Sequence, residues 1–166
     1  MNGNPVTTEG KPLVVGDSMP AFLLTANDLS DFASESASGV RVFLSVPSLD
    51  TPVCDEEVKR FNESTDLLGV NIYAVSMDLP FAQSRWCAAA GIGSVKTLSD
   101  YKYRQFGAAT GTYIKELGLL TRAVFIVGAD GKIAYVQYVP EISDHPDYTT
   151  AFAAALSAKK WAGYLS

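Results

Sequence analysis

Val40-Arg41-Val42-Phe43-Leu44-Ser45-Val46-Pro47-Ser48-Leu49-Asp50-Thr51-Pro52-Val53-Cys54 carries the chain from an apolar run to a lone thiol, and its reading decides the fold. The run 40–46 is bounded by turn residues and reads as a buried strand, which Pro47 stops. Beyond Cys54, apolar side chains at Val58, Phe61 and Leu68, with Thr65 between them, mark one face of a helix over 55–68. Asp55, Glu56 and Glu57 crowd its first turn, as acids do beside the positive end of a helix dipole. Asp50 or Thr51 can cap the helix, and Pro52 suits its first position, where no N–H is needed. Cys54 is thus predicted in the opening turn, facing N–H groups that lack an intrahelical partner and favour an anion.

A free cysteine after a buried strand is most often a small inert hydrophobe. The Thr-Pro pair and the helix start favour reactivity instead, because thiols at helix N-termini commonly ionise more readily. The three carboxylates that follow oppose a thiolate. A reactive Cys54 therefore needs a cation from elsewhere in the chain.

Working outward, Gly69 ends the helix and 70–76 reads as a second buried strand, so strand, helix and strand imply a parallel pair with a right-handed crossover. Asp78-Leu79-Pro80 opens another helix over 81–90, with Asp78 or Leu79 near its cap and Cys87 along it, ended by Gly91-Ile92-Gly93. Residues 95–98 form a weak strand candidate, followed by a polar, aromatic-studded stretch at 100–107. Residues 122–127 and 132–139 flank Gly128-Ala129-Asp130-Gly131 and give the strongest hairpin signal in the chain. An amphipathic helix over 146–160 closes the pattern. At the other end, 6–8 and 13–15, joined by Glu9-Gly10-Lys11-Pro12, are predicted to pair as an N-terminal hairpin, and 28–39 reads as a loop with one helical turn. The element order is that of an α/β, thioredoxin-like fold with an N-terminal β-hairpin extension, in a single domain over 1–166.

Composition is compatible with this. The chain has 166 residues, 48% apolar and 19% charged, which suits one domain with a sizeable core. No apolar stretch is long enough to cross a bilayer, and the N-terminus lacks the basic start and apolar centre of a secretory signal, so a cytoplasmic location is expected and no membrane partner. A net charge of −5, with no basic cluster beyond Lys159-Lys160, argues against nucleic acid. Two cysteines and one histidine, His145, cannot assemble an ordinary Cys/His zinc site within one chain. No metal or cofactor is expected. In a reducing compartment the pair Cys54 and Cys87 is more readily catalytic or redox-sensing than structural.

With Cys54, Cys87 and Arg122 in view, the chain closely resembles the bacterial thiol peroxidases, the atypical two-cysteine branch of the peroxiredoxins. Three blocks carry the resemblance: Pro-Ser-Leu-Asp-Thr-Pro-Val-Cys at 47–54, Ala-Val-Ser-Met-Asp-Leu-Pro-Phe-Ala-Gln-Ser-Arg-Trp-Cys at 74–87, and Leu-Gly-Leu-Leu-Thr-Arg-Ala-Val-Phe-Ile-Val at 117–127. It departs from the family at Thr110-Gly111-Thr112, where relatives often have Tyr-Gly-Val, and in the tail 161–166. The resemblance implies a peroxidatic Cys54, a resolving Cys87 that joins it in an intrachain disulfide, Thr51 and Arg122 as polar partners, and Pro47 shielding the pocket. It also implies hydroperoxide substrates, thioredoxin as reductant and a homodimer. Aromatic and apolar residues near the motifs lean toward alkyl hydroperoxides.

The residues themselves suit such chemistry. A peroxide needs a soft anion to attack one oxygen and donors to stabilise charge on the other. At an ordinary thiol pKa near ~8.5 a few per cent of a cysteine is ionised at pH 7, so easier ionisation gains at most roughly 30-fold. Fixed donors are each worth on the order of 10² to 10³ in rate, so most acceleration must come from them. Arg122 supplies both the missing cation and such donors. The Thr51 hydroxyl and the backbone N–H groups of Val53 and Cys54 are further candidates. The two cysteines lie on separate predicted helices, expected to pack apart around the sheet, so a disulfide between them requires local unwinding. A thioredoxin-like disulfide reductase or thiol carrier is the rival reading, against which stands the absence of Cys-x-x-Cys. A cysteine hydrolase would have only His145 as its base.

Overall fold

Val42 and Leu44 face one core while Phe43, between them, faces another, so the first predicted strand is buried on both sides. The same alternation separates Ile72 and Ala74 from Tyr73 and Val75, and Val124 and Ile126 from Phe125 and Val127. That double burial is why these segments read as continuous apolar runs rather than alternating ones.

The computed structural model describes residues 3–165 of the chain. In chain order its elements are β1 (Thr8–Glu9), β2 (Leu23–Ala26), β3 (Asp31–Ala33), β4 (Arg41–Ser45), α1 (Pro52–Leu68), β5 (Asn71–Ser76), α2 (Pro80–Ala90), β6 (Lys96–Ser99), α3 (Gln105–Thr110), β7 (Tyr113–Ile114), β8 (Leu119–Leu120), β9 (Ala123–Val127), β10 (Ile133–Tyr138) and α4 (Tyr148–Leu165). Seven strands form the main sheet in the order β10-β9-β4-β5-β6-β2-β3. The three central strands β4, β5 and β6 run parallel, and β9 and β10 extend them antiparallel on one side. This is the expected α/β architecture. None of the described helices is long and apolar enough to cross a membrane.

One face of the sheet is covered by α1 and α4, through Val58, Phe61, Leu68, Tyr148, Ala151 and Ala155, with Trp86 of α2 packed against the same core. On the other face Phe106 of α3 meets Phe22 and Phe125 edge to face, at 5.1 and 6.1 Å between ring centres. Phe106 explains why the stretch after β6, read from sequence as polar, folds into a helix: its ring is fully buried. Gly69 closes α1 in the left-handed region, at φ 62°, and its N–H donates to the Thr65 carbonyl. Of the tail 161–166, residues 161–165 continue α4, and Ser166 lies outside the described residues. The Asp147 carboxylate accepts from the N–H and hydroxyl of Thr150 at the start of that helix, at 3.0 and 2.6 Å.

The N-terminal extension folds differently from the expected hairpin. Thr8 and Glu9 pair with Ile114 and Tyr113, and with β8 they form a separate three-stranded sheet. Residues 13–15 are not a strand. Pro12 has no donor to give a ladder, the Leu13 N–H is taken by the Tyr138 hydroxyl at 2.7 Å, and Val14 and Val15 remain exposed. The expected hairpin turn at 9–12 is therefore not one, although Gly10 does sit at φ 86°, where a Cβ would collide with the Ala108 carbonyl. The stretch 28–39 also holds more order than expected, because β3 pairs with β2.

Candidate active site

Thr51 occupies the N-cap of α1 with extended backbone, and Pro52 follows at the first helical position, as its missing N–H predicts. Neither Asp50 nor Thr51 supplies the side-chain cap that the sequence suggested. The Thr51 hydroxyl instead donates to the Ser48 carbonyl at 2.8 Å, bracing the loop that leads into the helix. The opening N–H groups are thereby left to whatever anion lies before them.

Cys54 sits in that opening turn as a free, fully buried thiol. The cation it needs is Arg122, which immediately precedes β9, next to β4 in the sheet. Arg122 Nη2 lies 3.3 Å from Cys54 Sγ. The same guanidinium is held on its other edges: Nη1 donates to Glu57 Oε2 at 2.5 Å, Nη2 to the Ile142 carbonyl at 2.6 Å, and Nε to that carbonyl at 3.2 Å. A planar fork fixed at several corners is a rigid donor.

From the sequence Glu57 is one of three acids opposing a thiolate, but in the fold it has a distinct place. It lies three residues beyond Cys54 on the same helical face, and its side chain is fully buried against Arg122. Burial pushes its carboxyl up to about 7, against the opposing pull of Arg122. Oε1 has no hydrogen-bond partner among the described residues. On Arg122, burial works to release the proton, but the facing Cys54 and Glu57 outweigh it and raise its pKa further. Two acidic groups thus share one cation.

A hollow of about 190 Å³ opens in front of this cluster, lined by Pro47, Thr51, Pro52, Val53, Arg122, Ile142 and Ser143. All four residues predicted to meet substrate are there. No aromatic side chain lines it, so the aromatic contribution expected from nearby motifs is absent and its apolar walls come from proline, valine and isoleucine. Larger hollows of about 380 and 440 Å³ lie beside α4 and under the N-terminal arm, and neither is lined by Arg122.

The loop 47–51 is anchored from below by Asp78, just after β5. Its carboxylate accepts from Ser48 Oγ at 2.8 Å, the Leu49 N–H at 2.9 Å and Ser76 Oγ at 2.8 Å. The sequence offers Asp78 or Leu79 near the cap of α2, and nothing in it marks Asp78 as an anchor of this loop. That N-cap is Leu79, without a side-chain cap bond.

Cys87 lies on α2, half-buried and free. Contrary to the expected separation of the helices, α1 and α2 share one face of the sheet and touch through Trp86 and Asp55. The sulfurs nevertheless point apart. Cys54 faces Arg122 at the head of β9, whereas Cys87 Sγ lies 3.4 Å from Thr97 Oγ1 on β6. Those strands are three positions apart in the sheet, roughly 14 Å at ordinary strand spacing. His145 sits at the surface, with Nδ1 2.8 Å from the Tyr148 hydroxyl and Nε2 3.6 Å from Glu56.

Residues 14–152 match the family model described as Redoxin. The chain is 54% identical over 158 residues to a thiol peroxidase of Clostridium acetobutylicum, covering 95% of this chain and 96% of that one. It is 47% identical over 160 residues to a thiol peroxidase of Bacillus subtilis, again covering 95% and 96%. Among solved structures, a peroxiredoxin-like protein from Aquifex aeolicus superposes with a TM-score of 0.88 at 42% identity, over 95% of this chain and 94% of that one. A thiol peroxidase from Chromobacterium violaceum shares the fold, with a TM-score of 0.84 at 19% identity, over 99% and 96% of the two chains.

Proposed function

From the premise that this chain belongs to the redoxin family, as a thiol peroxidase with the thioredoxin-like fold of the peroxiredoxins, we propose that Cys54 is the thiol that reduces hydroperoxides and Cys87 the thiol that resolves it. The observation that carries this reading is the 3.3 Å approach of Arg122 Nη2 to Cys54 Sγ, with the guanidinium held by Glu57 and the Ile142 carbonyl.

In the first step the Cys54 sulfur, as thiolate, attacks one oxygen of the hydroperoxide. A sulfur–oxygen bond forms, the O–O bond breaks, and the departing alkoxide or hydroxide takes up a proton to leave as alcohol or water. Arg122 faces the incoming oxygens with a charge that need not reorganise, the condition under which a donor contributes most. Because Thr51 gives its proton to Ser48, its oxygen is set to accept from the substrate's O–H. Backbone N–H groups of Val53 and Cys54 add donors at the positive end of α1. Pro47 and Val53 wall the cleft, and its small apolar volume suits hydrogen peroxide and hydroperoxides with a short alkyl chain.

In the second step the Cys87 sulfur attacks the Cys54 sulfenic acid, the S–O bond breaks, and water leaves as the disulfide forms. The opposed directions of the two sulfurs require α2 or the start of α1 to loosen first. A dithiol reductant then returns both cysteines to thiols; thioredoxin in the cytoplasm, acting on a homodimer, is the reading the resemblance favours. Mass spectrometry of peroxide-treated protein tests the cycle. An intrachain Cys54–Cys87 link reducible by thioredoxin is expected, and a persistent sulfenic acid beside a free Cys87 refutes the second step.

A further inference from the structure

The two sulfurs are held by hydrogen bonds of opposite sense. Cys54 receives an N–H from Arg122, so its sulfur is the acceptor. Cys87 faces Thr97 Oγ1, and that hydroxyl has one proton, which it donates to Asn27 Oδ1 at 3.1 Å. With its proton engaged, Thr97 can offer Cys87 only a lone pair, so across 3.4 Å the thiol is the donor. Thr97 is almost wholly buried, so little water competes for that lone pair.

We propose that Thr97, its proton fixed by Asn27, is a positioning residue for the resolving step: it keeps Cys87 docked as an S–H donor until Cys54 has been oxidised. This rests on the reading of Cys87 as the resolving thiol. The construction of α2 gives the contact weight. The helix is tied at its first half by buried Gln83, whose amide donates to Ser76 Oγ and the Leu98 carbonyl at 3.0 and 2.9 Å. Its last turn carries Ala88, Ala89 and Ala90, which bury little apolar surface. There the side chains of Trp86 and Cys87 make the inward polar contacts, and the Cys87 carbonyl accepts the closing N–H groups of Gly91 and Ile92. Undocking Cys87 is therefore part of unwinding this turn, and the Thr97 contact opposes it. For the disulfide to form, the Cys87 proton must leave, its sulfur must bond to Cys54, and the sulfenic oxygen must depart as water. None of this can happen while the proton is held against Thr97.

The experiment has two arms. In Cys54→Ser protein the remaining thiol is Cys87, and its S–H stretch is read by infrared difference spectroscopy. The band should lie below that of the same thiol in unfolded chain, move up in Thr97→Val and return in Thr97→Ser. A band already at the free position, or unmoved by Thr97→Val, overturns the proposal. In protein that retains Cys54, stopped-flow measurement after a hydroperoxide pulse should show disulfide formation roughly 2- to 10-fold faster in Thr97→Val, the worth of one hydrogen bond, and restored by Thr97→Ser. An unchanged or slower phase overturns it. If the parent forms no Cys54–Cys87 link, the resolving assignment fails by itself, because the infrared arm reads Cys87 in protein without the Cys54 sulfur.

Discussion

Trp86 donates its indole N–H to the Asp55 carboxylate at 2.9 Å, so the residue before one cysteine is tied to the residue after the other. The bond clasps α1 to α2, and on the proposed resolving step it gives way as α2 or the start of α1 loosens. Trp86 fluorescence should therefore change on oxidation, against a background from exposed Trp161. Trp86→Phe, which keeps most of the packing, should speed disulfide formation by roughly 2- to 10-fold, the worth of one lost hydrogen bond. The check is stopped-flow after one equivalent of hydrogen peroxide.

Glu57 gives a stability signature that depends on pH. Its folded pKa, about 7, lies above the ordinary 4.5, so the folded chain holds a proton that the unfolded chain has lost between those values. Its contribution is complete below 4.5 and is lost as pH rises through about 7. The fall amounts to about 3 kcal/mol. Glu57→Gln keeps the shape and an acceptor for Arg122 but cannot ionise. Urea unfolding should show it gaining on the parent by about that amount across this window. A constant difference from pH 4 to 8 would contradict the assignment.

Asp78 braces the active-site loop by accepting from Ser48 Oγ and the Leu49 N–H, and is itself held to β5 by a third bond, from Ser76 Oγ. Asp78→Ala should cost about 2 to 4 kcal/mol of stability, as expected when bonds to a charged acceptor are lost. It should also slow the reaction with peroxide by on the order of 10²-fold if Thr51 and Val53 shift by an ångström. Denaturation and single-turnover kinetics on the same preparation separate the two effects.

Phe61 is fully buried between the sheet and α4, with its ring edge to face with Phe152 at 5.0 Å. Phe61→Ala should cost about 3 to 5 kcal/mol, as for large-to-small changes in other cores. Thermal unfolding at fixed pH is the measurement, and a loss below about 1 kcal/mol would show that the α1 face is not the core element described.

Several features of the fold and site could be read before any coordinates. The β4-α1-β5 unit follows from apolar runs of strand length around a helix-period face. The β9-β10 hairpin follows from its Asp-Gly turn. Cys54 and Arg122 are marked by local pattern and family resemblance together, and the hollow gathers Pro47, Thr51, Val53 and Arg122 as expected. The N-terminal pairing was not legible, because two-residue strands such as β1 and β7 carry almost no periodic signal and find their partners by tertiary position. Glu57 was visible in principle as the charged residue on the buried stripe of α1, at three-residue spacing from Cys54. Asp78 and the Ile142 carbonyl were not, since an anchoring carboxylate in a turn and a backbone acceptor in a loop look like any others. Thr97 meets Asn27 only because β6 and β2 are neighbours in the sheet, and meets Cys87 only because α2 packs on β6.

The central claim is that fixed donation from Arg122, more than ease of ionisation, makes Cys54 fast with peroxides. It is tested most directly by comparing the parent and Arg122→Met in single-turnover reaction with hydrogen peroxide and, separately, with iodoacetamide, which needs the thiolate but no clamp on an O–O bond. The peroxide rate should fall by at least about 10²-fold, while alkylation should fall by clearly less, since it loses no clamp on an O–O bond. Equal losses in the two reactions, or a peroxide rate that hardly moves, would contradict it.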